Sequence, residues 1–386
     1  RLARDFAVLR RATLGRRRVS IDWRGWMVPI GLSFVFVVIF VVANPVFAAW
    51  VARLVPGRFL TSDDVERILF WLAVAVTIRP FLRLGRAARP APLERPVART
   101  PIADDGLLGT AATVRSLVAF NGLFALQTAT DLEYLWAGVG LPAGMTHAEY
   151  AHRGAYPLMV AAIVAAGFVL LALRGEDADR PPRVRLLLLA FVGQGLMLVV
   201  SSMLRLELYV AAYSLTLWRL SAFVWMGLVA FGFASILVRI LARHSNRRLA
   251  AVNAAATLLT LWGACFVDDV DLVARWNIAH CAETTGYGAR LDLDHLLSLG
   301  VGVVPALDAR RDAFAGRLVL GERRDPRTGL WTRTLVPLGE RRDDMVRRHL
   351  DRPRDWRTWN VADWRLDRTL STMPAWSTAT VDGAAP

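Results

Sequence analysis

Long apolar blocks, separated by loops alternately rich and poor in arginine, constrain this chain more than any motif does. The blocks run from Met27 to about Phe47, Ile68 to Leu82, Leu107 to Val139, Pro157 to Leu173, Val184 to Leu204, Leu220 to Leu241 and Leu249 to Val267. A helix crosses the hydrocarbon layer with roughly 17–25 residues. The pattern therefore predicts an all-α polytopic bundle of about seven transmembrane helices. The second block is short and ends near Arg79-Pro80; the third is overlong and the least apolar. Trp26 and Trp50 flank the first block as interface anchors.

The loops test that division. The segment before the first block includes the run Arg16-Arg17-Arg18, and the loop after the second carries Arg83, Arg86, Arg89, Arg95 and Arg99. Arg174, Arg180, Arg183 and Arg185 follow the fourth block, and Arg239, Arg243, Arg247 and Arg248 the sixth. The intervening loops are poor: Arg53 and Arg58 with acids nearby, then Arg153, then Arg205 and Arg219 at the edges of the next. Short arginine-rich loops resist translocation, so the rich set is expected on the cytoplasmic side. That predicts a cytoplasmic N-terminus and an extracytoplasmic tail in a bacterial cytoplasmic membrane.

Charge narrows the function. All 47 basic residues are Arg, which excludes a Schiff-base lysine and a phosphate-loop lysine. The net charge of +14 lies wholly before Asp268, in the membrane part, which fits a topology signal and not a nucleic-acid patch. Cys265 and Cys281 match no zinc spacing, and a disulfide between them stays open. The chain begins at Arg1 with no cleavable signal pattern, so spans upstream stay open as well.

The expected organisation is a basic cytoplasmic segment, 1–25; a transmembrane domain, 26–267; a small, mainly helical extracytoplasmic tail, 268–370; and a disordered end, 371–386. In the tail, Leu291–Gly300 has near-helical leucine spacing, and Pro305 opens a second expected helix. Trp331, Trp356, Trp359 and Trp364 offer bulk for a small core or for docking at the membrane surface.

Polar residues gather at one face in this topology. Asp131 and Glu133 end the third span, and His147, Glu149, Tyr150, His152, Arg153 and Tyr156 fill the next outer loop. Arg205, Glu207, Tyr209, Tyr213 and Arg219 fill the one after, and Arg275, Asn277 and His280 follow the last span. Ionisable residues within spans are costly and mark functional sites. One reading is a shared outward-facing pocket; the other is that helix ends ordinarily carry such residues. The His147/His152 spacing is not the one that sets two imidazoles on one helical face, so no metal is expected. No motif calls for a cofactor.

Four segments resemble a bacterial membrane family known as domain of unknown function, family 4173. They are Tyr150-Ala-His-Arg-Gly154; Leu208-Tyr-Val-Ala-Ala-Tyr-Ser-Leu-Thr216, with Ser214 at a usual glycine; Arg275-Trp-Asn277; and Leu291–Gly300 followed by Pro305-Ala-Leu307. The resemblance implies a polytopic inner-membrane protein and no established activity.

The expected ligand-binding residues are Asp131, Glu149, Tyr150, Arg153, Arg205, Tyr209, Tyr213, Arg219 and Asn277, with no catalytic residue assigned. The leading expectation is a non-enzymatic protein that binds, senses or transports a ligand through an outward-facing site. The bilayer is its partner, with a lipid or small anionic molecule as ligand. A membrane-embedded transferase or hydrolase acting on a lipid or envelope precursor stands beside it. So does a structural or assembly subunit. Oligomeric state stays open.

Overall fold

A computed structural model of the chain describes residues 24–54, 67, 74, 109–136, 147–173, 181–324, 331–353, 355, 357 and 359–376. Within these the chain is mostly helical. Helix α1 (Arg24–Ala43) is followed by α2 (Pro45–Leu54), α3 (Thr110–Asp131), α4 (His147–Ala172), α5 (Pro182–Tyr213), α6 (Leu217–Ala242) and α7 (Asn246–Ala264). A π-helical turn, Leu132–Trp136, continues α3.

Among the described residues three helical segments are long and apolar enough to cross a membrane: Gly25–Ala43, Pro182–Tyr213 and Leu217–Ala242. A fourth would be α7 joined to the next helix, but the pair is bent by 77°. Apart from residue 74, the expected block Ile68–Leu82 lies outside the described residues. Helix α3 carries Arg115, Asn121, Gln127 and Asp131, which lower its apolarity, and α4 contributes a shorter apolar stretch, Tyr156–Ala172.

Two expected boundaries move, for local reasons. The first block breaks at Asn44, whose side-chain oxygen accepts the N–H groups of Val46 (3.0 Å) and Phe47 (3.3 Å). An Asn cap with Pro at the first helical position starts a new helix, so α2 departs there. Helix α5 does not stop near Leu204 but runs on to Tyr213, since neither Gly nor Pro interrupts it. Arg205, Glu207, Tyr209 and Tyr213, expected in a loop, are therefore helical.

The bundle interior is aromatic. Phe36 and Phe40 of α1, Phe120 and Phe124 of α3, Phe168 of α4 and Phe191 of α5 are buried together. Their rings meet edge to face, with Phe36–Phe124 at 5.0 Å, Phe120–Phe168 at 4.9 Å and Phe124–Phe191 at 4.9 Å. Such pairs contribute about 0.5–1.5 kcal/mol each beyond area burial.

Contacts set the helix directions. Arg115 lies over the Trp26 ring at 4.8 Å, while Asn44 reaches Gln127 and Thr130, so α1 and α3 run parallel. Arg185 donates to the carbonyls of Ile240 and Leu241, both at 3.1 Å, neutralising the C-terminal end of α6. Asn246 binds Leu173 O at 3.1 Å. One end of the bundle thus carries Trp26, Arg185 and Asn246; the other carries Asn44, Asp131 and the α5–α6 turn.

The tail packs against that second end. Helix α8 (Asp269–His280) is capped by Asp268, whose carboxylate accepts from Val270 and Asp271 N–H, both at 3.0 Å. Then follow α9 (Ala282–Thr285), α10 (Leu293–Ser298), α11 (Val304–Asp308), α12 (Leu338–Leu350) and α13 (Val361–Leu370). Gly300, at φ 112°, turns the chain after α10.

The tail was expected to be mainly helical, but it also holds an antiparallel hairpin, β1 (Leu318–Arg324) and β2 (Trp331–Pro337), with Val319 paired to Val336. Those two valines face the tail core with Ile278, Leu307, Phe314 and Leu338. Trp359 and Trp364 are exposed. Trp376, in the stretch expected to be disordered, enters this core instead, its N–H bound to Asp343 at 3.1 Å. Arg342 is buried and bridges Asp308 of α11 and Asp343. Both cysteines are free; Cys265 is exposed and Cys281 buried.

Candidate functional site

The tail end of the bundle holds a buried polar cluster. Asn44, Gln127, Thr130, Asp131 and Arg205 are all fully buried. Asn44 Nδ2 donates to Gln127 Oε1 (3.2 Å) and Thr130 Oγ1 (2.7 Å). Gln127 Nε2 donates to Asp131 Oδ1 at 3.0 Å, and the same oxygen accepts from Arg205 Nη2 in a direct ion pair. The other carboxylate oxygen, Asp131 Oδ2, is buried with no hydrogen-bond partner among the described residues. The π-helical turn begins at the next residue. Such turns concentrate at functional sites, since they re-aim side chains at the cost of regular hydrogen bonds.

Helix α4 makes room for the pair. A Cβ at Gly154 would stand 2.9 Å from Arg205 Cζ and 3.0 Å from its Cδ. Arg205 therefore lies across α4 where that helix has no side chain. Glu149, Tyr150 and Arg153 are on the first turns of α4, but their side chains are outside the described ones.

The remaining expected residues form a second constellation, two helical turns further along α5. Eight residues separate Arg205 from Tyr213, about 12 Å at 1.5 Å per residue. Tyr209 and Tyr213 pack ring on ring at 4.9 Å, and the Arg219 guanidinium lies over Tyr209 at 4.2 Å. Arg219 also donates to the carbonyls of Tyr213 (2.7 Å) and Ser214. A cation there meets the orphan carbonyls that end α5. Asn277 of α8 accepts from Leu215 N at 2.6 Å and donates to Leu215 O at 2.8 Å, joining tail to turn. Thr216 caps α6 by accepting from Arg219 N. Arg219 and Asn277 thus spend these bonds on backbone, while Asp131 binds the side chains of Arg205 and Gln127.

The sequence placed Asp131 and Arg205 in one polar layer, with a buried pocket in which they pair as one alternative; the place of Asn44 beside them went unread. An Asn ending an apolar run just before Pro45 was the available signal for Asn44. Among the described residues no group of three or more His, Cys, Asp or Glu side chains could hold a metal ion.

A family model described as a domain of unknown function (DUF4153) matches residues 3–309, through the bundle and into the tail as far as α11. That number replaces family 4173, which the four short segments resemble; such segments carry too little length to separate one polytopic family from another. No curated protein and no solved structure matches the chain.

Proposed function

The chain belongs to the family described as a domain of unknown function (DUF4153); from that premise we propose an integral membrane protein that binds a small anionic ligand at the polar end of its bundle. The observation that carries this is the fully buried Arg205 guanidinium, a fixed cation inside the bundle that is paired with the Asp131 carboxylate. Removing two charges from water is costly, and an incompletely satisfied pair recovers only part of that cost. Inside a membrane bundle such groups mark ligand or ion paths. A carboxylate or phosphate would exchange with Asp131 for the planar guanidinium of Arg205, entering where the π-helical turn loosens the end of α3.

In the same proposal about seven helices cross a bacterial cytoplasmic membrane, with the N-terminus cytoplasmic and the tail outside. The parallel course of α1 and α3 supports this order, in which one span separates them. Glu149, Tyr150 and Arg153 stand at the entrance on α4, and Tyr209, Tyr213, Arg219 and Asn277 frame the rim. The lipid transferase or hydrolase reading takes Asp131 or Glu149 as its acid or base; the Asp131 carboxylate is paired with Arg205, which weakens the case for Asp131.

The test is thermal unfolding of the detergent-purified chain titrated with inorganic phosphate and with acetate. The midpoint should rise with at least one anion, and the rise should vanish in Arg205→Gln. A wild-type midpoint indifferent to both would leave the pair as a brace between α3 and α5.

A further inference from the structure

The opposite end of the bundle has its own unexplained feature. Helix α7 leans on α6 only near the turn that joins them, and Leu249 is its one buried residue. Further along, Leu258, Leu259 and Trp262 are exposed, at 66%, 66% and 63%. Asn253 Nδ2 donates to Ser235 Oγ at 2.8 Å where the helices touch. Beside that contact runs a groove of about 290 Å³. Phe231, Val238 and Val252 wall it, and His244 and Arg248 close its end at the turn.

Among the described residues the charge around this groove has one sign. No acidic residue occurs anywhere between Glu207 and Asp268. Arg243, Arg247 and Arg248 are exposed at the turn, and Arg248 Nη1 lies 3.4 Å from His244 Nδ1. The N-terminus of α7 opens here, capped by Ser245, whose hydroxyl accepts from Arg248 N. Its free N–H groups and dipole add to the attraction for an anion. Arg239, by contrast, is buried and bound to Asn246 at 2.9 Å.

We infer that the α6–α7 groove holds one anionic phospholipid, an acyl chain against Phe231, Val238 and Val252 and the phosphate between His244, Arg248 and Arg247. The inference rests on the membrane reading above. Apolar walls ending in a basic cluster between helices match the two halves of such a lipid, and basic pockets on the cytoplasmic side bind lipid headgroups this way. Topology charges alone need no groove; the alignment of charge with cavity is what points to a bound molecule.

The experiment reconstitutes the full chain in phosphatidylcholine nanodiscs containing a minor fraction of spin-labelled phosphatidylglycerol or, separately, spin-labelled phosphatidylcholine. The immobilised fraction of each label is then measured. Wild type should prefer phosphatidylglycerol several-fold. Each of Arg247→Gln and Arg248→Gln should lower the preference by about fivefold, the weight of one arginine near an anionic surface, until it is lost. Val252→Trp fills the groove and keeps every charge, so it too should abolish the preference. Arg365→Gln/Arg368→Gln in the tail, which removes twice the charge of either single variant, should leave it intact. Equal retention of the two lipids by wild type overturns the inference, as does a preference that survives Val252→Trp, which would make it diffuse electrostatics. A chain that fails to enter the nanodiscs overturns the membrane reading, and the inference with it.

Discussion

Arg205 crosses helix α4 at Gly154, where a single added methyl would sit 2.9 Å from the guanidinium carbon. The glycine and the arginine are one feature divided between two helices. Gly154→Ala should therefore destabilise the protein by about 1–3 kcal/mol, the usual cost of overpacking. In an Arg205→Ala background the sign should reverse, because Ala is favoured over Gly in a helix by about 1 kcal/mol. Thermal unfolding of the four proteins of this cycle reads the coupling. Additive effects would separate Gly154 from Arg205.

Asp131 and Arg205 should show the behaviour of a buried pair. Removing either partner, as Asp131→Ala or Arg205→Met, leaves a lone buried charge and should cost about 3–5 kcal/mol. The double variant should be more stable than at least one of the singles. Denaturation in detergent measures all three. Mild, additive losses would mean that water reaches the pair.

Ser214 is held at φ 67° and ψ 165°, a region essentially reserved for glycine. Ser214→Gly should stabilise the α5–α6 turn by about 1 kcal/mol, while Ser214→Ala, which keeps a Cβ, should bring no gain. Unfolding midpoints of the two variants decide it.

The tail should loosen when Asn277 changes. Asn277→Ala leaves Leu215 N–H and C=O without these partners in a buried place, at a cost of about 1–3 kcal/mol. Asn277→Asp keeps the acceptor but loses the donor, and should be intermediate. Hydrogen exchange at Leu215 and limited proteolysis of the turn are the measurements. Unchanged protection in both variants would show that α8 does not depend on this clasp.

Topology can be read from native thiols. Cys265 is exposed at the end of α7 and Cys281 is buried. A membrane-impermeant maleimide added to intact cells should label Cys265 if that end faces outward, and Cys265→Ser should remove the label. Labelling that appears only after lysis would reverse the orientation.

The helical class and the helix positions were legible because apolar length and loop charge are properties of consecutive residues. Gly300 announces a helix stop for an equally local reason. The hairpin of the tail was not legible. Leu318–Arg324 and Trp331–Pro337 show no apolar alternation, and short strands of that kind are specified by the core they cover, here Phe314 and Leu338. Trp376 was missed for the same reason: small polar neighbours say nothing about a pocket formed by Arg311, Gly339 and Asp343.

The sequence by itself determined roughly where the apolar blocks run, which loops carry charge, and that Asp131 and Arg205 were notable polar residues near the ends of those blocks. Only the tertiary structure decided that these two, 74 positions apart, meet, that Gly154 makes room for them, and that Arg219 and Asn277 serve the turn. A helix pattern fixes the face each residue occupies along its own axis. The partner of a buried charge depends on which helices lie side by side, and that choice is made by packing among rings such as Phe36, Phe124 and Phe191.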